Sequence, residues 1–221
     1  MQAVLLGPPG SGKGTQAAAL ADRLGFQHLA TGDILREEVK NKTKLGMEAK
    51  KFMEKGELVP DKLILEMVSS HLKPDVAYLW DGFPRTEEQA VGLDAMLAVR
   101  NLSVDVAVLL EVPDAIIIRR ISGRLSCPGC GANYHRETLP SKKEGVCDRC
   151  GTRLEARTDD RPEVVARRLA VYREQTSPVM RYYEKQGKLV RVNGDQPPEN
   201  VTAKLAAVFE AAKGKSQKVD G

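Results

Sequence analysis

Nine residues near the start of the chain, Gly7-Pro-Pro-Gly10-Ser11-Gly12-Lys13-Gly14-Thr15, have the types and spacing of a phosphate cradle. Glycines at these points let the backbone curl tightly and turn successive N–H groups toward an anion, while Lys13 brings a full charge to the outer phosphates. The general pattern has Ser or Thr directly after the lysine. Here Gly14 intervenes before Thr15, which weakens the case for direct Mg²⁺ ligation by Thr15. A second set is Asp81-Gly82-Phe83-Pro84-Arg85-Thr-Glu-Glu-Gln89. An acid at the carboxyl end of a parallel strand lies beside the phosphate crevice, where Asp81 can hold Mg²⁺ through water and Arg85 can face the same anions.

A third set is Cys127-x2-Cys130 and Cys147-x2-Cys150, separated by 16 residues and accounting for all 4 cysteines. Four thiolates match a closed tetrahedral zinc site with no open position for catalysis, so the predicted zinc is structural. It would fold a segment too poor in apolar residues to fold alone, contributing on the order of 10 kcal/mol or more. The fourth set is scattered: Arg36, Arg119, Arg120, Arg124, Arg157, Arg167 and Arg168, of which about five are expected to meet phosphate. Arg120 and Arg124 are expected to share a helix face at i, i+4. No Gly-x-Ser-x-Gly or His-Glu-x-x-His occurs, and His28, His71 and His135 do not cluster in sequence. Phosphoryl transfer rests on positioning and charge neutralisation, and a phosphate acceptor needs no base. Many arginines without a base favour a phosphate acceptor.

The elements that must position these groups alternate in kind. Gln2–Gly7 reads as a buried strand entering the glycine turn, and Lys13–Gly25 as an alanine-rich helix. A second strand covers residues 26–33, with Thr31 or Asp33 suited to cap the next helix. Residues 33–72 read as helical with breaks near Gly46, Gly56 and Pro60. A strand ends at the Asp81 turn, then come helix Glu87–Arg100, strand Val104–Val112 and a helix from Pro113 to about Gly123. A long helix over Arg161–Gln186, strand Lys188–Val192, a helix over Pro198–Ala212 and a frayed tail from Lys213 complete the order. Alternating strands and helices predict an α/β fold, a parallel sheet flanked by helices on both faces. Two segments interrupt the alternation, the all-helical 30–59 and the turn-rich 123–160, and both read as insertions.

Composition narrows the partners. A chain of 221 residues with 42% hydrophobic content can bury a core. Aromatics are only 5%, against a stacking platform for nucleic acid, and the net charge of +4 suits an anionic small molecule. No apolar run nears the roughly 18 residues of a membrane span, and no secretory signal opens the chain. With no export signal, the paired cysteines favour a reducing, cytoplasmic setting and a metal over disulfides.

The ordered stretches GPPGSGKGTQ, TGDILR (Thr31–Arg36), GELVP (Gly56–Pro60), DGFPRT (Asp81–Thr86), RISGR (Arg120–Arg124), RTDD (Arg157–Asp160) and VNGD (Val192–Asp195) span nearly the whole chain. Together they closely resemble the adenylate kinases of the long-lid bacterial type. The resemblance implies reversible transfer from MgATP to AMP giving two ADP, in a monomer with no nucleic-acid or membrane partner. It places Gly10, Ser11, Gly12, Lys13, Gly14 and Thr15 on the ATP phosphates, with Arg120 and Arg124. Asn133 and Tyr134 fall near the ribose and Gln196 near the adenine. For AMP it implies Thr31, Arg36, Glu57, Leu58, Val59, Gly82, Phe83, Pro84, Arg85 and Gln89, with Arg157 and Arg168 clamping the transferring phosphates. Lys13, Arg85, Arg120, Arg124, Arg157 and Arg168 would stabilise the transfer. The core would be 1–29, 60–122 and 161–221, the AMP-binding domain 30–59 and the zinc-stapled lid 123–160. A UMP/CMP or GMP kinase shares the core motifs. A zinc-ribbon nucleic-acid-binding ATPase is the more distant alternative, disfavoured because the basic residues of 123–160 alternate with acids.

Overall fold

The run Gln2–Leu6 presents almost no polar face, and in the computed structural model it becomes the central strand β1, with all five residues buried. The structure describes residues 1–216. Four strands join β1 in one parallel sheet: β2 (Gln27–Ala30), β3 (Tyr78–Asp81), β4 (Val106–Glu111) and β7 (Leu189–Asn193), in the order β2-β3-β1-β4-β7. Parallel neighbours need crossovers, and helices supply them.

Successive side chains of each strand leave by opposite faces, so the sheet has two cores. Val4, Leu6 and Trp80 pack on one face with α4 (Asp61–His71), α5 (Glu87–Ala98) and α8 (Ser177–Lys185), including Met67, Leu93 and Tyr183. Ala3, Leu5 and Leu79 pack on the other with α1 (Lys13–Leu24) and α9 (Pro198–Ser216), including Leu20, Leu205 and Phe209. Each fully buried Leu or Phe contributes about 1.5–3 kcal/mol, which makes this double-faced sheet the rigid frame of the molecule.

Two excursions leave the frame. Between β2 and α4 lie α2 (Thr31–Lys40) and α3 (Lys44–Met53), packed on each other. Gly46 does not break this region as its residue type suggests. It sits inside α3, where a Cβ would come within 2.1 Å of the Glu38 carbonyl oxygen, so the glycine lets two helix backbones touch. The break falls at residues 41–43, where the Thr43 side chain caps α3 by accepting from Gly46 N–H at 3.0 Å. Neither Thr31 nor Asp33 caps α2: the N-cap is Ala30, and the Thr31 hydroxyl instead donates to Gly82 O at 2.8 Å.

After α6 (Asp114–Ser122) the chain forms the antiparallel pair β5 (Arg124–Ser126) and β6 (Asn133–His135), then one 3-10 turn at Thr158–Asp160. Arg124 therefore starts a strand, and Gly123 ends the helix before it, so Arg120 and Arg124 share no helix face. The expected long helix is α7 (Pro162–Val171) and α8 with a π-helical turn, Tyr172–Thr176, between them. Helix α9 runs four residues beyond Ala212, and the rest of the expected frayed tail lies outside the described residues.

Candidate active site

A cavity of about 570 Å³ opens beyond the carboxyl ends of β1, β2 and β3, lined by the residues that follow them: Gly7, Thr31 and Gly82. This is where ligands bind open α/β sheets, because the strand ends turn their backbones out of the packed frame. The α2–α3 excursion adds Arg36, Glu57, Leu58 and Val59 to its wall, and the cysteine segment adds Asn133, Tyr134 and Arg157. Gly10, Ser11, Gly12, Gly14, Thr15 and Gln196 line it as well.

The cradle itself is built by backbone. Gly12, at φ 97°, caps α1 in the left-handed region that disfavours a side chain, and no side chain competes for the helix N-terminus. Lys13 Nζ lies in the curl, donating to Gly7 O at 2.6 Å and Pro8 O at 2.9 Å. Burial pushes its pKa down to about 8; Asp81 opposes this, and Arg85, Arg168 and Arg124 reinforce it. Gly14 lies beside the carboxylate: a Cβ there would sit 3.4 Å from Asp81 Oδ2, an ordinary contact distance. Burial works to raise the Asp81 pKa. The His28 hydrogen bond, at 3.2 Å, and the charge of Lys13 outweigh it and hold the group below the usual carboxylate range.

Of the seven scattered arginines, Arg36, Arg120, Arg124, Arg157 and Arg168 line the cavity. Arg119 and Arg167 do not; they pair at the surface with Glu137 at 3.3 Å and Glu57 at 3.8 Å. With Arg85 and Lys13 the wall carries seven cations against the carboxylates of Asp33, Glu57, Asp81 and Asp159. Arg124 forms a fork with Asp160 (Nε to Oδ2 2.7 Å), and Arg168 Nη1 reaches Asp159 Oδ2 at 3.0 Å. Arg157 donates to Asn133 Oδ1, and Arg120 donates to Gly194 O at 2.9 Å. Burial is the first cause that lowers Arg85 and Arg157 to about 10; neighbouring arginines add to it. Like charges crowded out of water favour an anion of several charges in their midst.

The family profile described as adenylate kinase matches residues 5–188. The chain belongs to the adenylate kinase family. It is 49% identical over 212 residues to the adenylate kinase of Lachnospira eligens, covering 95% of this chain and 100% of that one. It is 47% identical over 208 residues to the enzyme of the same name from Caldicellulosiruptor saccharolyticus, covering 93% and 97% of the two chains. It is 46% identical over 213 residues to that of Methanosarcina barkeri, covering 95% and 99%. The chain is thus an enzyme, a nucleotide-binding kinase with the parallel P-loop fold of adenylate kinases.

In this member of the adenylate kinase family the four cysteines form a group that could hold a metal ion, their sulfurs all within 4.8 Å of one another. Cys127 and Cys150 are 3.3 Å apart and Cys130 and Cys147 3.5 Å, far beyond the ~2.05 Å of a disulfide. A zinc tetrahedron with bonds of about 2.3 Å has sulfur–sulfur edges of about 3.8 Å, so the set fits. Each half is the same knuckle: Gly131 N–H donates to Cys127 O at 3.0 Å and Gly151 N–H to Cys147 O at 2.9 Å, both glycines at φ 73°.

Phe83 departs from its expected place. It is fully buried against Trp80, ring centroids 5.9 Å apart, and only its neighbours Gly82 and Pro84 line the cavity. Gln89 is buried and lines the cavity. Several residues of the site escaped sequence reasoning. Asp159 and Asp160 are arginine partners; their signal was the acid pair beside Arg157. His28 sits on Asp81 across two strands, which no local pattern reports. His135 Nδ1 accepts from Glu137 N–H at 3.1 Å and Thr138 N–H at 3.2 Å, so the ring proton is on Nε2 and no lone pair remains for base work.

No helix among the described residues is long and apolar enough to cross a membrane.

Proposed function

We propose that this chain binds ATP and AMP together in the cavity and transfers the γ-phosphoryl group reversibly between them, giving two ADP. The observation that carries the reading is the set of seven cations lining the cavity beside a phosphate cradle, where the Nδ1 of the lining histidine His135 is already occupied by two backbone donors. Residues Gly10–Thr15 cradle the ATP phosphates, with Arg120 and Arg124 over them, Asn133 and Tyr134 at the ribose and Gln196 at the adenine. Thr31, Arg36, Glu57–Val59, Gly82, Pro84, Arg85 and Gln89 hold AMP. Asp81 would help hold Mg²⁺ brought with ATP, and the ion would supply neutralisation of part of the phosphate charge.

An AMP phosphate oxygen, already anionic, attacks the γ-phosphorus, and the bond to the β-phosphate oxygen breaks with its electrons leaving on ADP. Lys13, Arg85, Arg120, Arg124, Arg157 and Arg168 oppose the charge as it moves, an arrangement whose worth is largest in a water-poor site. Residues 123–160 act as a lid that excludes water, so that AMP and not water receives the phosphoryl group. Cys127, Cys130, Cys147 and Cys150 would hold Zn²⁺, which would supply that lid with its rigidity, while 30–59 forms the AMP-binding domain and 1–29, 60–122 and 161–221 the core. Thiolate ligands suit the reducing cytoplasm, and a single chain carries every residue named, which fits a monomer.

The test is coupled measurement of ADP formation with AMP, GMP, UMP and CMP as acceptors. AMP is expected to give the highest kcat/KM. A preference for UMP, CMP or GMP would reassign the acceptor, and no ADP with any of them would overturn the reading.

A further inference from the structure

The Gln89 amide is held at both ends by protein. Gln89 is the third residue of α5, whose N-cap Thr86 accepts from Gln89 N–H at 3.1 Å. Its Oε1 accepts from Arg85 N–H at 2.8 Å, and its Nε2 donates to Asp61 Oδ1 at 2.7 Å. The second oxygen of Asp61 accepts from the Thr86 hydroxyl at 2.9 Å, which closes a ring of three hydrogen bonds through Gln89, Asp61 and Thr86. Asp61 begins α4, two residues after the cavity-lining Val59, and comes to Gln89 from 28 positions away in sequence.

We infer that Asp61 is a specificity-determining positioning residue, which fixes the polarity of the Gln89 amide and so decides which purine the acceptor site reads. An ionised carboxylate only accepts, and a backbone N–H only donates. The nitrogen end of the amide must face Asp61 and the oxygen end must face Arg85. Turning the amide over would set oxygen against carboxylate and NH₂ against N–H, leaving both buried ends unpaired. Each end has one anchor, so one N–H and one lone pair remain for a ligand in the cavity. That pair matches adenine, which accepts at N1 and donates from the N6 amino group. Guanine donates at N1 and accepts at O6, and would need the reversed amide that Asp61 forbids. Gln89 is a common amide that could serve either purine by rotating; Asp61 removes the choice.

The inference rests on the proposed reading of Gln89 as the residue that meets the AMP base. The test measures kcat/KM for AMP and for GMP at fixed ATP in Asp61→Ala, Asp61→Asn and Gln89→Ala, with the KM for ATP and the Tm beside them. Asp61→Ala should shrink the AMP/GMP ratio by about 10-fold, through KM for the monophosphate, with the KM for ATP within about twofold. Asp61→Asn keeps an oxygen to accept from Nε2 and should restore the ratio to within about threefold of the parent. Should the alanine variant not fold, Asp61→Ser, which keeps a polar first-turn residue on α4 but cannot reach Gln89, carries the same expectation. A ratio that falls in Gln89→Ala but stays at the parent value in Asp61→Ala overturns the positioning role and leaves the base reader intact. A ratio unmoved by Gln89→Ala overturns both. A lowered Tm in Asp61→Ala with an unmoved ratio makes Asp61 a helix-capping residue only, and the inference fails.

Discussion

The phosphate cradle and the cysteine segment are both tight turns shaped by glycine, yet they are held in opposite ways. The cradle hangs between β1 and α1, anchored in a two-faced core that includes Leu5, Leu20 and Trp80. Its ligand is not needed to shape it. The cysteine segment has four buried core residues, Cys127, Tyr134, Cys147 and Leu154, with Leu125 and Ala132 packed against them, and two of the four belong to the cysteine group that could hold a metal. One loop rests on what lies beneath it; the other has few buried side chains of its own. On the proposed reading, in which residues 123–160 move as a lid, such a flap cannot be anchored by the core, and a local metal staple is the physical alternative.

The sharpest way to break the comparison is to remove charge from the anchored side. Lys13→Ala is expected to lower kcat/KM by roughly 10²-fold or more, with little change in Tm, since the loop is shaped by its backbone. Arg124→Ala should lose a similar factor, and the double variant should fall short of the product, because both oppose the same phosphoryl charge. A Tm loss as large as that of a core truncation would mean that Lys13 supports the fold.

The complementary stroke falls on the staple. Cys130→Ser, or chelation of the metal, should lower Tm and loosen the lid, seen as faster amide exchange confined to residues 123–160. Below its Tm the variant should keep most of the rate of the chemical step. Turnover abolished with stability intact would make the metal catalytic. Metal analysis should find one zinc per chain on protein purified under reducing conditions without chelator.

A smaller effect separates the two regions by pH. The Lys13 pKa is depressed to about 8 in the unliganded cavity, so above that pH the free enzyme loses the charge that greets ATP. The kcat/KM for ATP should fall as pH rises through about 8, while kcat, which reports the liganded complex, holds to higher pH. The stability sign is opposite: an unfolded lysine with an ordinary pKa keeps its proton between about 8 and 10.5, so this group destabilises the fold less as pH rises through that window. The smallest effect is expected at His135→Ala, within about threefold in kcat, since its Nδ1 is occupied by two backbone donors. A loss of 10²-fold with zinc retained would contradict a mechanism without a base.

Much of this was legible in the chain. Apolar runs marked the inner strands β1, β3 and β4, because a strand buried on both faces must be apolar throughout; the edge strands β2 and β7 keep exposed positions, and β2, expected over 26–33, ends at Ala30. The cradle and the paired cysteines are local sets, so spacing alone describes them. Boundaries governed by packing were not legible. Gly46 reads as a helix breaker until α2 is seen against it, and the π-turn at Tyr172–Thr176 leaves no mark in a pattern that is helical throughout. Phe83 lies within a stretch assigned to ligand, but its side chain leaves by the core face.

By itself the sequence determined the kind of chemistry: a glycine turn with a lysine and arginines without a base point to phosphoryl transfer, and a four-thiolate set points to a site that could hold a metal. Tertiary structure decided which arginines meet in one cavity, that His28 holds Asp81, and that Asp61 meets the Gln89 amide. The reason is the range of the forces involved. Backbone curvature and metal ligation act between near neighbours in sequence, whereas a buried hydrogen bond or ion pair joins whichever side chains the folded sheet brings together, and their separation along the chain leaves no local trace.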